Sequence, residues 1–178
     1  LSQKEIELIE PKFHKVLVQK SEIILNVGEV VYDQYYVASG CLRIFYRDAS
    51  GKEHTVQFAI ADWWLSDYTA FFTTSKAIMT IECIQPSVLY RVSKKDMNFL
   101  YKNVPQTETF IRLKLEKAYA FFQKRILGTL YKTTKERYLD FVLTYPDIEK
   151  MVKNYHIASY LGVTTETLSR IRKEIIEN

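Results

Sequence analysis

The chain has 178 residues, and 25 Lys plus Arg against 21 Asp plus Glu give it a formal net charge of +4. With 47% apolar and 26% charged residues it is not a disordered chain, and no apolar run reaches the roughly 18 residues of a membrane span. No secretory signal is visible, and the two distant cysteines, Cys41 and Cys83, suit neither a CxxC motif nor a disulfide framework, so they read as reduced core thiols of a cytoplasmic protein.

The sequence starts at Leu1 rather than Met, which reads as a trimmed start. Residues 1–103 carry no net charge, and all the positive excess lies in residues 104–178, a hint that an anionic partner binds the C-terminal part.

The first hundred residues alternate Val, Ile, Tyr and Phe with turn residues. Strands are expected at Glu22–Val31, Gln34–Val37, Cys41–Arg47, Glu53–Ala59, Ala77–Ile84 and Val88–Val92. Asp48-Ala49-Ser50-Gly51 has hairpin chemistry, and Gly28, Gly40 and Pro86 punctuate the other strands. Many short strands joined by tight turns indicate an antiparallel β-barrel or jelly roll over residues 1–103. A short helix follows at Ser93–Tyr101, with Ser93 as its cap and Asp96 three residues on.

From Pro105 the texture becomes helical. Ile111, Leu115, Ala118, Phe122 and Ile126 form one apolar stripe on a long helix over residues 104–127, and Leu113 and Phe121 widen it. Such a helix has two contacts to make, its own barrel on one side and the same helix of a second copy on the other. Gly128 is expected as a hinge into a C-terminal all-α unit, residues 128–178. There Thr133 and Glu136 form a capping box, and Tyr145-Pro146 stops the helix they start, before a short helix around Asp147–Val152.

The segment from Tyr155 to Lys173 is the most informative. Ile157, Ala158 and Leu161 make an apolar face, Gly162 permits a turn with positive φ, Val163 plugs the angle, and Thr164 caps a second helix with Leu168, Ile171 and Ile175 buried. That is a helix-turn-helix pattern. Its second helix leaves Thr165, Glu166, Ser169, Arg170, Arg172 and Lys173 on the remaining surface, residue types that read base edges and phosphates: Arg takes guanine O6 and N7, and Glu accepts from cytosine N4.

On Gly28-Glu29, Ser39-Gly40-Cys41-Leu42-Arg43, the Asp48–Gly51 hairpin before Lys52-Glu53, Asp62 with Trp63-Trp64, the long helix and Ile157–Arg172, the sequence resembles the Crp–Fnr family of bacterial transcription regulators, in the short-tailed form found in Bacteroidetes. The resemblance covers nearly the whole chain. It implies an α+β protein with a cyclic-nucleotide-binding-type barrel, a dimerisation helix and a DNA-binding domain, working as a homodimer on double-stranded DNA, with RNA polymerase and an unknown small-molecule effector as further candidate partners. Glu166 and Arg170 match the family's base-contacting positions; Thr165 stands where an Arg is common, so the operator should differ. The family's usual β-wing after the recognition helix is not expected before Asn178.

Two chains pairing through Ile111, Leu115, Ala118, Phe122 and Ile126 would set their recognition helices about 34 Å apart, to read a pseudo-palindrome. Thr164, Ser169, Arg172 and Lys173 are then expected on phosphates, and Thr165, Glu166 and Arg170 on bases.

The resemblance also places an effector cradle at Leu65-Ser66 and Lys76-Ala77. Its acidic residue reads as lost, and Lys76 lacks the planar fork that grips a phosphate, so tight cyclic AMP binding is not expected and Lys76 reads as a solvated loop lysine. Two cysteines are too few for an iron–sulfur cluster, and His14, His54 and His156 are scattered, so no cofactor and no metal are expected. Two other classes compete. A jelly-roll enzyme would need clustered metal-binding histidines, and no GxSxG, P-loop or HExxH motif is present either, so the chain reads as a non-enzyme. A protein-interaction module with a degenerate helix-turn-helix is compatible with the net charge of only +1 in residues 128–178.

Overall fold

The computed structural model describes residues 1–177. Helix α1 (Gln3–Ile9), closed by a Ser2–Glu5 capping box, leads through a 3₁₀ turn into strands β1 (His14–Val18), β2 (Ile23–Leu25), β3 (Asp33–Arg47), β4 (Glu53–Ala59) and β5 (Trp64–Leu65). A one-turn helix α2 (Tyr68–Phe71) precedes β6 (Thr80–Ser93). Helices α3 (Lys94–Asn103), α4 (Pro105–Tyr131), α5 (Thr134–Thr144), α6 (Ile148–Met151), α7 (Asn154–Leu161) and α8 (Thr165–Ile176) complete the chain.

The fold is α+β, with one antiparallel sheet in the order β1-β6-β3-β4, β2 pairing with β6 and β5 with β3. The sheet does not close into a barrel. Strands β3 and β6 run antiparallel along most of their length, from Asp33↔Ser93 to Phe45↔Thr80. Two pairs of expected strands are therefore single long strands. Gly40 and Pro86 do not end strands; they sit at bends, where the β3–β6 register shifts between Val37 and Leu42. The bend folds each long strand over, so β1 and β2 occupy the two halves of β6, and β5 and β4 the two halves of β3. Between the halves lies a core including Val37, Leu42, Leu65, Ile81 and Leu89.

Gly40 has φ +98°, and a Cβ there would stand 2.2 Å from Ser87 Oγ and 2.7 Å from the Pro86 carbonyl oxygen. That close approach lets the Ser87 hydroxyl accept a hydrogen bond from the Cys41 amide at 3.1 Å. Cys41 and Cys83 are both free and buried, and burial, with a smaller effect of neighbouring Cys83, pushes the Cys41 thiol up to about 12.

Helix α3 starts as its sequence predicts, with Ser93 Oγ accepting from the Asp96 amide. Helix α4 runs through Gly128, which is buried within it, and ends at Tyr131; the expected hinge is continuous helix. The expected apolar stripe divides. Ile111 is buried with Val92, Met97 and Leu100, and Leu115 packs on the same cluster. Phe122 is half-buried, Ala118 is exposed and Ile126 is 62% exposed.

The C-terminal helices dock on the sheet and share a core with it. Phe58 of β4 packs its ring against Phe141 of α5, Tyr145 and Tyr160 of α7 at centroid distances of 6.0, 5.8 and 5.7 Å. Among the described residues strand β4 pairs only with β3, and its remaining edge is covered by α7: Ser159 Oγ accepts from the Thr55 amide at 2.9 Å and donates to the Glu53 carbonyl at 2.8 Å. Arg125 of α4 completes the joint. Its guanidinium donates to the Val56, Thr55 and Tyr160 carbonyls and lies 3.8 Å from the Tyr160 ring centroid.

Gly40→Ala should cost about 3 kcal/mol or more in urea denaturation, because strained φ and a backbone clash act together. Gly51→Ala, at φ +86° but in open space, should cost only about 1–2 kcal/mol. Equal losses would show that crowding at the bend is not what selects glycine.

Candidate functional site

The helix-turn-helix forms as its residues dictate. Gly162 adopts the left-handed conformation at φ 71°, ending α7, and Thr164 Oγ1 accepts from the Thr167 amide to start α8. Ile157, Ala158, Leu161, Leu168 and Ile171 are buried, and Val163 and Ile175 pack against them. The outer face of α8 then carries Glu166, Ser169, Arg170 and Lys173 at i, i+3, i+4 and i+7, all exposed. Arg170 and Lys173 meet only loose intrahelical partners, Glu174 at 3.9 Å and Glu177 at 3.8 Å. The Glu166 carboxyl is held below its ordinary range by its own backbone amide and the Thr164 hydroxyl, so it faces solvent as an anionic acceptor.

Thr164 is exposed and Thr165 half-buried, at the start of this face. Arg172 lies elsewhere. Its guanidinium donates to Asn154 Oδ1 at 2.6 Å, Glu149 Oε1 at 2.5 Å and the Tyr138 hydroxyl at 3.2 Å, and Tyr138 donates to Glu149 in turn. The sequence assigns Arg172 to phosphates; the structure spends its donors on tying α8 to α5, α6 and the start of α7.

At the expected cradle, Leu65 is fully buried in the sheet core, Ser66 donates to the Asp33 carbonyl, Ala77 is buried and Lys76 is exposed. One residue on from Ser66 is a group the sequence reading missed. Asp67 is fully buried, and its carboxylate accepts from the Thr69 amide and hydroxyl and from the Ile78 and Met79 amides at 2.8 and 3.0 Å. Ser66 stands where the resemblance puts the cradle's acidic residue, and Asp67 lies one position on. It sits on the two amides just after Lys76-Ala77, where an incoming anion would meet like charge. The signal was Asp67-x-Thr69, a cap pattern ahead of a short helix.

A separate cavity of about 340 Å³ lies between α4 and the turn at Asp62-Trp63-Trp64, lined chiefly by aromatic and aliphatic groups. It contains none of the four cradle residues.

His156 is buried at the joint between sheet and helices. Burial, aided by the positive charge of Arg43, lowers its pKa to about 4, and its Nδ1 has no hydrogen-bond partner among the described residues.

The chain is thus a bent antiparallel sheet joined through one long helix to a set of C-terminal helices that end in a helix-turn-helix. The model of the cyclic nucleotide-binding domain matches residues 15–104, and the chain belongs to that family. Solved structures with the same fold include the c-di-GMP responsive global regulator CLP of Xanthomonas campestris, with 14% identity over 99% of this chain and 92% of that one at a TM-score of 0.76. FixK2 of Bradyrhizobium japonicum shares 18% identity over 93% and 85% at 0.78. A Crp/Fnr-family regulator of Eubacterium rectale shares 20% over 99% and 85% at 0.73. The fold is thus that of Crp/Fnr regulators. No curated protein matches the sequence.

Because His156 stays neutral in the fold, the unfolded chain alone takes up a proton between its ordinary pKa of 6.5 and about 4. Stability should fall as pH drops through that window and level off below it. His156→Gln should flatten this part of a urea-unfolding profile; an unchanged slope would move the pH sensitivity to another group.

Proposed function

We propose that the protein is a dimeric DNA-binding transcription regulator of the Crp–Fnr type. The observation that carries this is the stripe Glu166, Ser169, Arg170 and Lys173, exposed on the second helix of a helix-turn-helix whose other face is fully committed to the core. Glu166 and Arg170 read base edges, while Thr164, Ser169 and Lys173 position the helix on phosphates. Thr165 lies at the leading end, close enough to add a base contact. Arg172 supports the reading helix from behind.

Helix α4 supports the dimer. Leu113, Leu127 and Leu130 are 47%, 53% and 76% exposed, and Ala120 lies on the same side, in 3–4 spacing from Leu113 through Glu116, Ala120, Gln123 and Leu127 to Leu130. This seam, with Ile126 at its flank, is the surface a second copy would cover, whereas Ile111 and Leu115 serve the chain's own core. Two copies so joined present two reading helices to successive major grooves of a pseudo-palindromic operator.

The cradle does not serve a cyclic nucleotide in this reading. Asp67 already occupies the Ile78 and Met79 amides that follow Lys76-Ala77, and Leu65 is packed in the sheet core.

Selection from a randomised DNA pool at two salt concentrations should enrich a two-half-site palindrome whose affinity falls steeply with salt; a protein-interaction module would enrich none. Arg170→Ala should cost about 1–3 kcal/mol at the selected site and relax the sequence there, without lowering thermal stability. Arg172→Ala should instead lower the unfolding midpoint. Reversal of these two phenotypes would refute the assignment of the reading face. Calorimetric titration with cyclic AMP should give no saturable heat, and micromolar binding would overturn the account of Asp67.

A further inference from the structure

Gly128 lies inside α4, where glycine is a weaker helix former than alanine, and it neither hinges the chain nor adopts a positive φ. Apart from neighbouring backbone, a Cβ there would meet only Lys132 Cδ, at an ordinary 3.6 Å, so packing does not demand glycine. What the missing side chain leaves is space. Gly128 lines a groove of about 480 Å³ between the end of α4 and helices α5 and α7. We propose that this groove binds a phosphomonoester, a small molecule with one aromatic ring and one terminal phosphate.

Charge sets the head group. Lys124, Arg125, Lys132 and Arg137 line the groove, and Asp140 is the one carboxylate among its described lining residues. Asp140 is already engaged by Lys132 at 2.6 Å. Arg125 donates to three carbonyls, and Arg137 to the Leu161 carbonyl at 2.9 Å and the Thr134 hydroxyl at 3.3 Å. Those acceptors are neutral, so both guanidinium charges stand uncompensated. Lys124 is exposed and has no ion-pair partner among the described residues. The groove therefore keeps three positive charges in excess. A carboxylate neutralises one of them, whereas a phosphomonoester carries about −1.5 to −2.

The reachable donors are two ammonium groups. Lys124, Gly128 and Lys132 follow one another at four-residue spacing, so they share one face of the helix. Lys132 gives one of its three donors to Asp140, and its side chain is 27% exposed. With no side chain at Gly128 between them, a phosphate lies against the helix and takes a donor from each lysine. Arg125 and Arg137 contribute charge, their donors being spent on the protein. The mouth suits a ring: Tyr131 and Leu143, 72% and 80% exposed, offer aromatic and aliphatic surface that a ring covers. The site contains none of the DNA-reading residues, and only Leu127 is shared with the α4 seam assigned above to a second copy.

Titration calorimetry of the full chain with phenyl phosphate tests the site, with phenol and inorganic phosphate as the two halves of the probe. Phenyl phosphate should bind saturably and raise the unfolding midpoint, and each half should bind weaker by about tenfold or more. Lys124→Gln, at an exposed position, should weaken phenyl phosphate by about tenfold and leave the midpoint of the free protein unchanged, and Lys124→Arg should retain the affinity. Gly128→Ala should raise the midpoint of the free protein, alanine being the better helix former, yet weaken the probe. No saturable heat with phenyl phosphate, phenol binding equally well, or affinity indifferent to Lys124→Gln and Gly128→Ala alike would overturn the site. Operator binding, measured with DNA alone, holds or fails independently of all these outcomes.

Discussion

The ring of Phe58 is the physical link on which the arrangement of this protein depends. It belongs to β4, near the edge of the sheet, yet three of its ring neighbours come from the C-terminal helices. An aromatic cluster of this kind removes a large apolar area from water, about 1.5–3 kcal/mol for each fully buried side chain. It also adds edge-to-face contacts that fix orientation. The 47 residues after Tyr131 are too few to form an ample core alone. They acquire one by sharing Phe58, Cys41 and Ile84 with the sheet. Arg125 and Ser159 then satisfy the backbone groups that this docking buries.

That joint also ties the long helix to the C-terminal helices. Trp63 touches both the long helix and Tyr145, so one indole belongs to the cavity wall and to the seat of the helix-turn-helix. Between the sheet halves the situation is different. Apolar side chains pack there as one core, and the Ile78 and Met79 amides are paired with the Asp67 carboxylate.

Local rules were legible in the sequence wherever neighbours within a few residues decide the structure. Strand β4 matches its expected bounds, the Ser93 and Thr133 caps form, and Gly162 and Thr164 frame the turn. The misreadings share a cause. Gly40 and Pro86 look like strand ends in one dimension, but the two long strands bend together there and keep pairing beyond the bend. Gly128 looks like a hinge, yet continuous helix carries the chain past it. Asp67 could be seen as a cap, though not as a partner of amides eleven and twelve residues away.

The sequence by itself determined strand β4, the succession of helices from α3 onward, the helix-turn-helix and the residue types on its outer face, because caps, turns and apolar periodicity are short-range properties. Only the tertiary structure decided which of those residues are free to act. Arg170 and Arg172 are chemically identical and two positions apart; the first points to solvent and the second is held by Tyr138, Glu149 and Asn154. The same holds for α4, whose apolar residues surround much of the helix, so that periodicity cannot say which side meets the sheet. That choice is made by groups far away in the chain, through Trp63, Trp64 and the core around Val92 and Leu100, which claim Ile111, Leu115 and Phe121 and leave Leu113, Leu127 and Leu130 outside.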